Sequence, residues 1–201
     1  MRFITLSFAI AVFITMAAFT NTKTLVVTST AFTNNGMIPA KYSCLGQEAS
    51  PPLNVTNIPE GARSLVLIVD DPDAPVKLAV VRQATKGNKK HAKKKPVTKV
   101  ANTGAAQQNT FTHWIIWNLD VDGHIPENFR NDYEGMNGVQ KNGYVGMCPP
   151  AGTHHYHFKV YALDIKLNMP RTTNKAAIEK VMEGHILAWG DLVGTFDKTY
   201  R

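Results

Sequence analysis

The chain is poor in several features that would fix its class at once. Its 201 residues hold only two cysteines, Cys44 and Cys148. That excludes a small disulfide framework and leaves no paired cysteine ligands for a structural zinc site. No H-E-x-x-H or G-x-S-x-G string occurs, so the common zinc-protease and serine-hydrolase signatures are missing. No internal repeat is visible, which excludes a solenoid or propeller. Acidic residues are absent between Ala74 and Leu119, while nine basic ones fall there: Lys77, Arg82, Lys86, Lys89, Lys90, Lys93, Lys94, Lys95 and Lys99. The formal net charge of +7 is therefore local, and the rest of the chain is close to neutral.

What remains is ordinary globular composition, 44% hydrophobic and 18% charged, with enough chain for one sizeable core. Residues 1 to 20 stand outside that core. Arg2, an apolar run from Phe3 to Ile14 and the small Ala17 and Ala18 follow the order of a signal peptide, so we expect an exported protein, secreted or periplasmic. In such a compartment two cysteines are compatible with one disulfide between Cys44 and Cys148, or equally with two separately buried thiols.

The mature chain, 24–201, reads as one domain rich in strands. Thr24 to Phe32 is β-branched and predicts a first strand, and Asn34-Asn35-Gly36 turns the chain. Ser64 to Val69 is continuously apolar, as a strand covered on both faces would be. Asp70-Asp71-Pro72-Asp73-Ala74-Pro75 stops it, because proline lacks a ladder donor. Thr112 to Leu119 and His154 to Leu163 predict two further buried strands. Ile178, Val181, Met182, His185 and Ile186 recur at helical spacing after Thr173-Asn174, predicting one amphipathic helix that ends before Gly190. The expected fold is mainly β: two antiparallel sheets in a Greek-key-like sandwich, with a C-terminal helix packed against them. Residues 77 to 110 are basic or small and polar without aromatics, and we expect a disordered insert there.

Polar, titratable residues gather where buried strands meet loops: Asp71 and Asp73, His113, and His154 with Tyr156. Strand alternation puts His154, Tyr156 and Phe158 on one face and His155, His157 and Lys159 on the other. Imidazole N–H groups and a phenol hydrogen-bond to anionic oxygens, and carboxylates orient the imidazoles, so such a cavity suits a phosphate or carboxylate group.

The motifs Asp71-Pro72-Asp73-Ala74-Pro75, His113-Trp114, Gly143-Tyr144-Val145-Gly146 with Cys148-Pro149-Pro150, and Gly152-Thr153-His154-His155-Tyr156 resemble, in order, those of the phosphatidylethanolamine-binding protein family, which includes the Raf kinase inhibitor proteins. Ser50-Pro51-Pro52-Leu53 and His185-Ile186-Leu187-Ala188 look like its bacterial and archaeal branch. The resemblance spans roughly residues 24 to 76 and 111 to 198, on the scale of one domain. It implies a pocket for phosphate-like anions or a phospholipid headgroup at positions matching Asp71, Asp73, His113, Cys148, His154 and Tyr156. It implies neither a catalytic residue nor a cofactor, and a role as inhibitor or regulator of a partner protein. Two departures stand out: His155 replaces the family's usual Arg, removing a permanent cation, and the Val76–Thr112 loop is far longer than expected.

Two other readings compete. A hydrolase would use the Asp/His pocket for acid–base chemistry or metal binding, and His155 and His157, sharing a face, could chelate a metal. A polyanion-binding protein would use Lys86, Lys89, Lys90, Lys93, Lys94 and Lys95. Without aromatic stacking platforms its binding to anionic membranes or polymers would be unspecific and steeply salt-dependent, and no specific nucleic acid is expected.

Overall fold

The computed structural model describes residues 23–74 and 110–199. The leader at 1 to 20 and nearly all of the insert at 77 to 110 lie outside the described residues. The architecture is mainly β, two sheets and one helix, as expected.

Four long strands make the main sheet. The central pair, β5 (Ser64–Asp71) and β8 (Thr153–Leu163), runs antiparallel, with Val69 opposite Phe158. β6 (Phe111–Leu119) flanks β5, and β9 (Ile186–Asp197) flanks β8, both antiparallel. Two short segments, β1 (Lys23–Thr24) and β3 (Gly36–Met37), pair with β9 in parallel. The second sheet is small and antiparallel: β2 (Val26–Thr28), β4 (Leu53–Thr56) and β7 (His124–Ile125).

Every residue of β5 is buried, which is what its unbroken apolar run predicted. Alternate residues serve different layers. Leu65, Leu67 and Val69 pack with Trp114, Ile116, Phe158 and Val160 against the small sheet, through Val27, Leu53 and Val55. Val66 and Ile68 pack with Ile115 and Trp117 under Ile178 and Met182 of the helix α1 (Lys175–Met182).

Several local expectations are corrected. The Thr24–Phe32 segment is two short strands in different sheets, ending at Thr28. The helix starts where expected, with the Asn174 side chain accepting the Ala177 N–H at 3.0 Å, but it stops at Met182. Glu183 leaves the helical region at ψ 127° and Gly184 follows at φ +80°, a tight turn closed by the His185 N–H on the Met182 carbonyl at 3.0 Å, so His185 and Ile186 continue the spacing without being helical. The twelve-residue β9 follows the helix. That strand has little signature in the sequence because its inner face alternates Ala188, Gly190, Leu192, Gly194, Phe196. A Cβ on Gly190 would lie 2.4 Å from the Leu25 carbonyl oxygen, and one on Gly194 would lie 2.5 Å from the Ile38 side chain. Close approach of the Leu25 backbone demands glycine at 190, the Ile38 and Phe32 side chains fill the space beside Gly194, and glycine erases the strand signature.

Candidate functional site: a buried imidazole–carboxylate pocket

One end of the main sheet carries the polar residues singled out in the sequence. β5 ends at Asp70-Asp71, whose side chains point to opposite faces. Asp70 is fully buried beneath the helix layer, ion-paired to Lys175 at 2.6 Å and Lys159 at 3.3 Å. Asp71 turns to the other face. Its Oδ1 accepts the N–H groups of Asp73 and Ala74 at 2.9 and 3.0 Å, closing the turn begun by Pro72, and its Oδ2 accepts from His154 Nδ1 at 2.7 Å.

His113 reaches this face through a bulge. Val69 pairs with Trp114 and Asp70 with Thr112, leaving His113 as an extra residue in β6. Strict alternation would have put its ring with Ile115 and Trp117 on the helix side. The bulge re-aims it toward Asp71, with Nε2 4.0 Å from Asp71 Oδ2. Its Nδ1 lies 2.8 Å from the Val145 carbonyl, while the Val145 N–H donates back to the His113 carbonyl at 3.0 Å. A carbonyl only accepts, so Nδ1 carries the proton and Nε2 faces the cavity.

The wall opposite is the segment from Gly143 to Pro150. The Cys44–Cys148 disulfide fixes it to the loop after Tyr42, together with hydrogen bonds from Cys44 N–H to the Met147 carbonyl at 3.1 Å and from the Tyr144 hydroxyl to the Tyr42 carbonyl at 2.7 Å. Of the two alternatives for the cysteines, the bonded one is observed.

Between these walls is a cavity of about 200 Å³. Asp71, His113, His154 and Cys148 line it, with Phe111, Val145, Pro149 and Pro150 as apolar surroundings. Two expected residues stand back from it. The Tyr156 ring is fully buried behind the imidazoles, 5.2 Å from His113 and 6.4 Å from His154 between ring centroids. Burial first, then the nearby Asp71 and Asp73 charges, pushes its phenol far up, so it stays protonated. Asp73 sits at the rim, accepting both the backbone N–H and Nδ1 of His155 at 2.8 Å. Those two bonds hold its carboxyl below the usual range.

Burial pushes His113 below the ordinary imidazole value, partly offset by its bond to Val145 and by Asp71. The ring is therefore neutral at neutral pH. His155 and His157 do share a face, but each is taken by a separate carboxylate, Asp73 and Asp191, and no group of three metal-ligating side chains occurs among the described residues. Phe111 and Val145 were not singled out by residue chemistry: one acts by shape and the other through its backbone.

A family model described as phosphatidylethanolamine-binding protein matches residues 28–85 and 97–197. The chain belongs to this family. The break in the match, 86 to 96, coincides with the densest run of lysines. A UPF0098 protein of Pyrococcus abyssi is 39% identical over 185 residues, covering 87% of this chain and 86% of that one. A UPF0098 protein of Chlamydia trachomatis is 34% identical over 174 residues, covering 86% and 98%. Among solved structures, a phosphatidylethanolamine-binding protein homologue from Chlamydia trachomatis aligns with TM-score 0.69 at 33% identity, over 87% of this chain and 98% of that chain. Escherichia coli YbcL, described as a member of the mammalian family, aligns with TM-score 0.65 at 21% identity, a likeness of fold.

Proposed function

We propose that this member of the phosphatidylethanolamine-binding protein family is an exported, non-enzymatic protein that binds a small oxyanion of the phosphate class in the cavity between Asp71, His113 and His154. The observation that carries this reading is the convergence of two imidazoles on one cavity of about 200 Å³, each with Nδ1 committed elsewhere and Nε2 left for a ligand. The volume suits a headgroup-sized anion. Apolar walls lower the local dielectric and strengthen any charge-assisted hydrogen bond made there. Among the described lining residues no free thiol, hydroxyl or amine is offered as a nucleophile, because Cys148 is disulfide-bonded, and this favours binding over hydrolysis. The leader-like segment and the disulfide both suit an oxidising compartment.

Isothermal titration of inorganic phosphate into the mature chain under mildly acidic conditions tests the reading. His113→Ala and His154→Ala should each weaken binding about tenfold or more, the loss of one hydrogen bond to the ligand, without unfolding the domain. Affinity should fall as pH rises through the imidazole range. Equal affinity in wild type and both variants would refute it.

A further inference from the structure

The donor and acceptor pattern of the cavity says more about the ligand than its size does. Three of the lining side chains are polar: Asp71, His113 and His154. The Asp71 carboxylate, 3% exposed, only accepts. His113, 4% exposed, has spent its proton on the Val145 carbonyl, so its Nε2 presents a lone pair. His154 directs its Nδ1 at Asp71, and its Nε2 becomes a donor only when the ring gains a second proton and forms an ion pair with that carboxylate. Among the described residues, no lysine or arginine side chain lines the cavity. An ordinary anion site is the reverse of this, rich in donors and permanent cations.

From these three side chains an entering anion meets more acceptors than donors. A bare oxyanion would set its own lone pairs against His113 Nε2 and Asp71 Oδ2, which stand 4.0 Å apart. Binding it would require charging the buried His113 as well as His154. An oxyanion bearing a hydroxyl resolves the mismatch. Its O–H donates to the acceptor side, and its charged oxygens take the Nε2 proton of His154.

We propose that the cavity selects oxyanions that bring a proton of their own, hydrogenphosphate above all, and rejects proton-free oxyanions of the same shape and charge such as sulfate, with Asp71 and His113 as the specificity-determining residues. This rests on the oxyanion reading of the site. The same rule separates two sources of phosphate chemistry. Free phosphate carries a hydroxyl, whereas the diester phosphate of an intact phospholipid does not.

Hydrogenphosphate and sulfate are dianions of one shape that differ by a single proton, and at neutral pH, within the imidazole range that binding requires, they make a clean pair. Calorimetric titration of the mature wild-type chain with phosphate, sulfate and dimethyl phosphate should show phosphate binding at least about a hundredfold more tightly than either rival, as expected when buried polar groups are left facing the wrong partner. Asp71→Asn supplies an amide donor to His154 Nδ1, which turns the Nε2 of that ring into a donor without a charge. In that variant sulfate should gain and the phosphate-to-sulfate ratio should collapse toward one. Phosphate and sulfate bound equally by the wild type would overturn this inference while leaving the oxyanion reading intact, and so would dimethyl phosphate bound as tightly as phosphate. Binding of none of the three would overturn both. The wild-type comparison decides the matter even where Asp71→Asn fails to fold.

Discussion

Replacing His113 by Leu separates the structural worth of this imidazole from its electrostatic cost. The side chains are similar in volume, so the principal loss is the 2.8 Å hydrogen bond to the Val145 carbonyl, in a strand bulge that is almost completely buried. Leaving that carbonyl without its donor costs about 1–2 kcal/mol at neutral pH. The sign of the pH dependence follows from the depressed pKa of His113, for which burial is the largest cause. Between the unfolded value of about 6.5 and the lower folded one, the unfolded chain binds more protons at this position. Wild-type stability is therefore complete above about 6.5 and falls as pH drops through that window. The variant has no such group. The stability gap between the two proteins should be widest at neutral pH and shrink on acidification, before carboxylates such as Asp73, whose pKa is lowered by its bonds to His155, begin to titrate in both. Urea unfolding at neutral and mildly acidic pH, with midpoints compared at unchanged slope, measures this. A gap that widens on acidification would show that His113 is stabilised as a cation, and would refute the neutral-imidazole account of the site.

Other perturbations test the frame around the site. Gly190→Ala places a methyl 2.4 Å from the Leu25 carbonyl oxygen and should cost about 1–3 kcal/mol, measured by thermal or urea unfolding, because the obstacle is backbone. Lys175→Met leaves the fully buried Asp70, among the described residues, with the Lys159 ion pair at 3.3 Å and the Thr112 hydroxyl at 3.3 Å and should destabilise by roughly 3 kcal/mol, whereas a surface lysine replaced in the same way should change little. Reducing the Cys44–Cys148 bond, which closes a span of 104 residues, should lower stability by up to about 4.7 kcal/mol on the chain-entropy account and weaken phosphate binding as well, since Cys148 belongs to the cavity wall; a reduced protein of unchanged stability and affinity would contradict this.

What could be read from the sequence follows from how local each signal was. The two-sided burial of β5 was legible because an unbroken apolar run has few other uses. The facing of His154 and Tyr156 was legible because β8 alternates without interruption across that stretch. His113 was found as a residue but its direction was not, since the face it points to depends on one extra residue in β6, and no periodicity argument anticipates a bulge. The end of the helix is not legible because Val181, His185 and Ile186 keep helical spacing across the Glu183-Gly184 turn that stops the helix. β9 is not legible because the Leu25 backbone beside Gly190, and the Ile38 and Phe32 side chains beside Gly194, occupy the space where its own side chains would announce a strand. The cysteine pairing needed a distance, and counting supplies none.

The disulfide also decides how the chain is threaded. Cys44 and Cys148 are joined covalently, and residues 75 to 109 fall between them in sequence, as do β4, β5, β6 and β7. The bond makes that whole stretch a closed ring with two tails, one carrying β1 to β3 and the other carrying β8, α1 and β9. A single cut anywhere in the ring opens it without releasing a fragment. Proteolysis between Asp71 and His113 would thus leave one covalent molecule, with Asp71 on one piece and His113, His154 and the cavity wall on the other, running as one band before reduction and two after it.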